Sequence, residues 1–327
     1  MAHIDLPLSE LRTYQPDVRE PADFDAFWTR TLAEARAIGG DVELTDIDAR
    51  LPHVSISDLT FPGFGGHPIK GWFSRPADAD AALPVVVQFV GYGGGRGTAF
   101  EHTFWPSAGY AHVVIDNRGQ GSSWGNGGET PDPVGADASL PGFMTRGILN
   151  PEDYYYRRLF TDAALAVDAA RTLPGVDPAR VIIAGGSQGG AMAVAVAGLV
   201  PDVLGVMPDV AFMCHLERAV AMTDADPYGE VRRYLAVHRG HEDVAFDTLS
   251  YFDGVNFAKR GRAPALWSVA LMDETCPPST TFAAYNHYGA GATVSKQIEV
   301  YPFNGHEGGQ GHHGRRQWEF AQALVGA

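Results

Sequence analysis

The sequence predicts an α/β fold in which a mostly parallel central sheet is covered by helices on both faces. Three observations predict it. Nearly continuous apolar runs recur along the chain, at Val85–Val90, Val113–Ile115, Val181–Ile183, Leu266–Leu271 and, with more alternation, Gln297–Tyr301. Strands buried on both faces read this way. Helical patterns lie between the runs, as at Thr161–Leu173 and Ala191–Leu199, and strand–helix alternation gives a parallel sheet. Each run also ends in a loop rich in Gly, Asp, Asn or Ser. In such sheets function gathers at the carboxyl ends of the strands.

The elements follow in order. Residues 1–50 read as a helical amino-terminal extension. Within it Pro21–Ile38 is an amphipathic helix, with Phe24, Phe27, Trp28, Leu32 and Ala35 on one face and Gly39-Gly40 as its stop. That aromatic stripe reads as packing. Ser55–Phe73 alternates around Gly63, Gly65 and Gly66, as a β-hairpin does. Trp124–Asn150 is rich in Gly, Pro and Asp and reads as a long ordered loop. Cys214–Asp253 is polar and mostly helical in pattern, an insertion over the sheet. Nothing divides the chain, so 1–327 is expected to be a single domain.

Composition narrows the function. Of the 327 residues 45% are hydrophobic and 19% charged, enough for a sizeable core. The formal net charge of -15 repels phosphate backbones and anionic membrane surfaces, so neither nucleic acid nor membrane is expected as a partner. Two cysteines, Cys214 and Cys276, do not make a disulfide scaffold. The first ten residues hold acidic groups and no long apolar run, unlike a secretory signal. A cytoplasmic, soluble protein is the expectation.

Gly185-Gly186-Ser187-Gln188-Gly189 matches G-x-S-x-G. In a chain with 39 glycines the match alone is weak. Its setting is stronger: it follows the run Val181–Ile183 and precedes a helix of small residues from Ala191. A nucleophilic serine on a sharp turn needs that strand–turn–helix context, with small neighbours. The helix start then offers N–H groups and partial positive charge to a developing oxyanion. A glycine-rich helix entry without chemistry is the plain alternative.

A serine hydroxyl needs a base, and the base needs an orienting group. In this architecture the chain order is Ser, acid, His. Asp273 follows the run Leu266–Leu271, in a loop stiffened by Pro277-Pro278, and is preferred to the neighbouring Glu274. His306 follows the run Gln297–Tyr301 in a glycine-flanked loop and is preferred to His312 and His313. No H-E-x-x-H motif occurs, so no metal is expected. The backbone N–H of Gln188 is one candidate oxyanion donor. The second comes from Gly91-Tyr92-Gly93-Gly94-Gly95, with Tyr92 the natural donor. That glycine run lacks the lysine of a phosphate loop, and no cofactor is expected.

Together these residues resemble the acetyl xylan esterase / cephalosporin C deacetylase family, carbohydrate esterase family seven of the α/β-hydrolase superfamily. The resemblance spans nearly the whole chain. It runs through Asp5-Leu6-Pro7-Leu8, Gly91–Gly97, Arg118-Gly119-Gln120, Gly142–Ile148, Tyr154–Arg158, the serine motif, Met272-Asp273 with Cys276-Pro277-Pro278, and His306-Glu307. It implies an α/β-hydrolase fold and a triad of Ser187, Asp273 and His306. It also implies oxyanion donors at Tyr92 and Gln188, with Tyr92 lining an acetyl pocket. The implied substrates are small acetylated molecules, namely xylo-oligosaccharides and cephalosporin C, and the implied assembly is a homohexamer. The stretch Gln310–Arg315 departs from the family pattern. A peptidase or longer-chain esterase, and a non-catalytic assembly protein on the same fold, are the alternatives.

Overall fold

The computed structural model describes residues 4–135 and 139–326. The strands are β1 (Glu43–Ile47), β2 (Val54–Pro62), β3 (Pro68–Pro76), β4 (Leu83–Phe89), β5 (Ala111–Ile115), β6 (Val176–Gly186), β7 (Gly205–Asp209), β8 (Ala265–Ala270) and β9 (Lys296–Tyr301). Among the described residues they form one sheet, in the order β1-β2-β3-β5-β4-β6-β7-β8-β9. From β5 to β9 all pairings are parallel. The pairings among β1, β2, β3 and β5 are antiparallel, and they extend the sheet at one side.

The helices are α1 (Leu8–Leu11), α2 (Phe24–Ile38), α3 (Phe104–Ser107), α4 (Tyr155–Ala170), α5 (Gln188–Leu199), α6 (Leu216–Met222), α7 (Tyr228–Val237), α8 (Glu242–Ser250), α9 (Gly254–Arg260), α10 (Pro278–His287) and α11 (Gln310–Val325). Successive strand side chains point to opposite faces, and both faces are covered. Val85 and Val87 of β4 join a large core with residues of α2, α4, α5 and α9. Val86 between them packs in a smaller cluster with Trp105 of α3 and Ala321 of α11. Alternate residues of β6 and β8 divide the same way. The unbroken apolar runs therefore come from strands that have no solvent face.

Three elements differ from the sequence expectation. Residues 43–47 end the supposed helical extension as an edge strand, largely exposed, whose alternation is too short to read. β7 carries Gly205 and Pro208, residues that argue against a strand, yet it is paired with β6 and β8 and mostly buried. β9 is a half-exposed edge strand, not one buried on both faces, which accounts for its alternation. The segment 214–253 folds into α6, α7 and α8 between β7 and β8. In the long loop from Trp124 to Asn150, a 3-10 turn lies at Phe143–Thr145. Residues 136–138 of that loop, residues 1–3 of the amino-terminal segment and residue 327 lie outside the described residues. Among the described residues no helix is long and apolar enough to cross a membrane.

Candidate active site

Ser187 sits between the last residue of β6 and the first of α5, with φ 56° and ψ -118°. A non-glycine residue with positive φ costs free energy and persists only when its surroundings hold it. Here three backbone bonds do so. Ser187 N–H donates to the Asp209 carbonyl at 2.9 Å, and the Ser187 carbonyl accepts from Phe212 N at 3.0 Å and Ala191 N at 2.9 Å. The turn also needs its glycines. A Cβ on Gly185 would lie 2.3 Å from the Gly189 carbonyl oxygen, and one on Gly189 would lie 2.2 Å from that of Phe89. The turn thus presses β6, α5 and β4 together at backbone distance, and the serine projects from its tip.

The loops after β8 and β9 bring the other two side chains to it. His306 Nε2 lies 2.9 Å from Ser187 Oγ, and His306 Nδ1 lies 2.8 Å from Asp273 Oδ2. Asp273 is fully buried. Its second oxygen, Oδ1, accepts the N–H groups of Thr275 and Cys276, each at 2.8 Å. A carboxylate only accepts, so Nδ1 of His306 carries the hydrogen and Nε2 presents its lone pair to the serine hydroxyl. Glu307 shapes the histidine loop by accepting from Asn304 Nδ2 and Gly305 N. The rivals stand elsewhere. Glu274 and His312 are exposed. His313 is buried on α11 with Nδ1 3.1 Å from the Tyr301 hydroxyl, and burial lowers its pKa.

The Gln188 N–H opens α5, where the first N–H groups have no partner within the helix. Tyr92 lies on the loop after β4, and an added Cβ on its neighbour Gly91 would stand 4.0 Å from Ser187 Cβ. Among the described residues neither the Tyr92 nor the Gln188 backbone N–H meets a protein acceptor. Both donors are therefore unspent, one on the residue after Ser187 and one on the loop after β4.

The resemblance implies that Arg118-Gly119-Gln120 supports the site, but the way the Tyr92 loop is held does not follow from the sequence. Gln120 Oε1 accepts the Gly93 N–H at 2.7 Å. Gln120 Nε2 donates to Gln188 Oε1 at 3.0 Å. Asn117 Nδ2 reaches the carbonyls of Val90, Gly91 and Gly94 at 3.1, 3.2 and 3.3 Å. Arg118, which also lies in this segment, is fully buried. It grips both oxygens of Asp162 at 2.5 and 2.6 Å, and Asp132 lies 3.6 Å away with Arg158 on its other side. Two cations and two carboxylates balance there. The N-cap tyrosine of α4 and the two that open the helix each tie down a different segment. Tyr154 donates to the Met144 carbonyl, Tyr155 to the Arg118 carbonyl and Tyr156 to Gln188 Oε1. A polar cluster just after β5 is the one sequence signal for this scaffold.

Asp273, Cys276 and His306 place possible ligand atoms within 4.8 Å of one another. They suit proton transfer better than a metal. The Asp273 oxygens already accept three N–H groups, and burial raises the Cys276 thiol pKa far above its usual value, which keeps it protonated.

The acetyl xylan esterase (AXE1) family model matches residues 1–324. The chain belongs to the acetyl xylan esterase family. An acetyl xylan esterase from Paenibacillus sp. R4 superimposes with a TM-score of 0.90 at 37% identity, covering 97% of this chain and 99% of that one. Acetyl xylan esterase 1 from Thermoanaerobacterium sp. JW/SL YS485 gives 0.88 at 32% identity, over 98% and 99% of the two chains. The acetyl esterase Axe7A of Xylanibacter ruminicola is 27% identical over 301 residues, 89% of this chain. This chain spans 65% of the length of that curated relative. The fold is that of the α/β-hydrolases.

In this acetyl xylan esterase family chain Ser187 and His306 open onto a cleft of about 600 Å³. Tyr92, Trp124, Val210, Pro227, His102 and Asn126 are among the residues that line it. Trp124 is half-exposed and donates its indole N–H to the Tyr92 carbonyl at 2.7 Å. The Tyr92 hydroxyl does not face the cleft as a free donor, because it is spent on Glu230 at 2.7 Å. Tyr92 thus lines the cleft with its hydroxyl already committed elsewhere.

Proposed function

We propose that this chain is a serine esterase that removes acetyl groups from small acetylated substrates through an acetyl-serine intermediate. Acetylated xylo-oligosaccharides and cephalosporin C are the candidate substrates. The observation that carries the reading is the hydrogen-bonded series Asp273–His306–Ser187, set at a strained turn beside two free backbone N–H groups. Membership of a family of carboxylic ester hydrolases supports the reaction class. The names of the three relatives support acetyl as the acyl group.

In the first half-reaction Ser187 Oγ attacks the acetyl carbonyl carbon while His306 Nε2 takes the hydroxyl hydrogen. The carbonyl electron pair moves onto its oxygen, where the N–H groups of Tyr92 and Gln188 receive the charge. One such donor is worth ~10²–10³ in rate. Asp273 holds the imidazole in the required tautomer and stabilises its charged form. Collapse of the intermediate breaks the bond to the alcohol oxygen, which leaves with the proton from His306. The acetyl group stays on Ser187. In the second half-reaction water gives a proton to His306 and attacks the acetyl carbon. Acetate departs and Ser187 recovers its hydrogen.

The homohexamer and a cytoplasmic location belong to the same proposal. The first rests on the resemblance, and a stable monomer in sedimentation would refute it. The second is compatible with two cysteines that are free and buried. The decisive experiment for the activity is Ser187→Ala assayed on p-nitrophenyl acetate, with fluorophosphonate labelling alongside. Loss of both turnover and labelling is expected. Near-wild-type turnover would overturn the reading.

A further inference from the structure

Glu230 on α7 is a buried carboxylate outside the Ser187–His306–Asp273 series. Its Oε1 accepts the Tyr92 hydroxyl at 2.7 Å, and its Oε2 accepts the Met144 N–H at 3.1 Å. The same Tyr92 oxygen accepts the N–H groups of Gly142 at 3.1 Å and Phe143 at 2.9 Å. Four hydrogen bonds thus fasten three distant segments together: the loop after β4, the turn at residues 142–145, and the insertion. The Tyr92 ring is packed edge-on against Phe143, with centroids 5.6 Å apart, and against Phe212 at 6.3 Å. Pro227, which precedes α7, borders the same cleft. The residue that caps α7 therefore borders the cleft, and the helix itself supplies the anchor for the aromatic ring beside it.

We propose that Glu230 is a positioning residue that sets the acyl-chain limit of the enzyme by pinning the Tyr92 ring beside Ser187. The proposal rests on the esterase reading. A tyrosine ring at a cleft wall swings about two torsions unless its far end is held, and here that end is held by an acceptor buried with it. Burial, and next the Glu230 charge, raise the Tyr92 hydroxyl pKa, so it remains the proton donor of the pair. Loss of the carboxylate leaves the hydroxyl and the Met144 N–H without their acceptor, and a buried unpaired polar group is costly. The ring then moves to find water, and the wall it formed retreats. A wider acyl end admits propionyl and butyryl groups. The backbone of Tyr92 moves with the ring, so the oxyanion donor is loosened too.

The test compares Glu230→Ala, Glu230→Gln and Tyr92→Phe on p-nitrophenyl acetate, propionate and butyrate. All three esters share one leaving group, so the ratio of butyrate to acetate kcat/KM reports the acyl end alone. In Glu230→Ala the ratio is expected to rise on the order of tenfold, the usual scale for a methylene in a fitted pocket. The acetate kcat should fall while KM changes little. Glu230→Gln keeps one acceptor of the two and should lie between Glu230→Ala and the wild type. Tyr92→Phe breaks the same bond from its other end, so Tyr92→Phe with Glu230→Ala should shift the ratio no further than the larger single change. A purely structural role lowers every ester in proportion and leaves the ratio at its wild-type value, and that result in an active variant would overturn the proposal. If Glu230→Ala does not fold, Tyr92→Phe decides, since it removes one oxygen and keeps the ring. Failure of the esterase reading shows separately, as activity that survives Ser187→Ala.

Discussion

Gln120 and Gln188 face each other as a buried amide pair, 3.0 Å apart in one direction and 3.3 Å in the other. Both residues are fully buried. Gln188 belongs to the serine turn, and Gln120 holds the Gly93 N–H of the Tyr92 loop at 2.7 Å. The pair therefore fixes the distance between the two N–H groups proposed to bind the oxyanion. Gln120→Leu removes the link and keeps the volume. Its expected effect is a loss of about 10- to 100-fold in kcat on p-nitrophenyl acetate, with KM nearly unchanged, since small misplacements at the reacting centre cost rate more than binding. An unchanged kcat in a folded variant would count against this role.

The side chain of Gln188 shows where sequence reading stops. Its backbone N–H is legible from the turn motif, but its amide meets Gln120 and Tyr156 only through the fold. Glu230 is a stronger case: in sequence it is one acidic residue in a polar helix, and nothing local predicts its burial against Tyr92. The positions of Ser187, Asp273 and His306 are legible because each follows a strand, and parallel strands end at one edge of the sheet. The strands themselves differ in the same manner. β4, β5, β6 and β8 announce themselves by burial on both faces. β7 does not, because Gly205 and Pro208 carry poor local propensity and its neighbours override it.

Asp273→Asn tests the orienting acid. The amide oxygen can keep the N–H groups of Thr275 and Cys276 now held by Oδ1. The NH₂ group then points at His306 and favours the tautomer with the lone pair on Nδ1. Nε2 would carry a hydrogen and could not take the one on Ser187. A fall of about 10⁴ in kcat is expected, with an unchanged circular dichroism spectrum. A fall of less than tenfold would show that Asp273 does not set the tautomer.

The serine turn leaves no room for a methyl group, and the carboxyl-terminal helix does. Gly185→Ala puts a Cβ 2.3 Å from the Gly189 carbonyl oxygen, a backbone atom that cannot step aside. A loss on the order of 3 kcal/mol in urea unfolding is expected. Gly314→Ala lies inside α11 with nothing within 4 Å of the new carbon. There alanine should stabilise by roughly 0.5–1 kcal/mol through helix propensity. Equal effects at the two sites would contradict the close packing of β6 on α5.

His112 on β5 is buried, with Nε2 3.0 Å from Gln88 Oε1 and Nδ1 3.3 Å from the His102 carbonyl. Burial, and next the nearby His102, lower its pKa from 6.5 to about 3. The unfolded chain protonates this imidazole as pH falls through 6.5, whereas the folded chain does so only near 3. Between those values unfolding takes up a proton, so stability falls with pH, by about 1.4 kcal/mol per pH unit for this one group. Above pH 6.5 its contribution is complete and constant. His112→Leu removes the titrating group, so its stability, measured by urea unfolding from pH 7 down to 4, should decline less steeply than the wild type by that amount. Its absolute stability at pH 7 has no bearing on the slope, because the slope counts protons and not contacts. Identical slopes would place the imidazole in a setting where the folded chain protonates it as readily as water does.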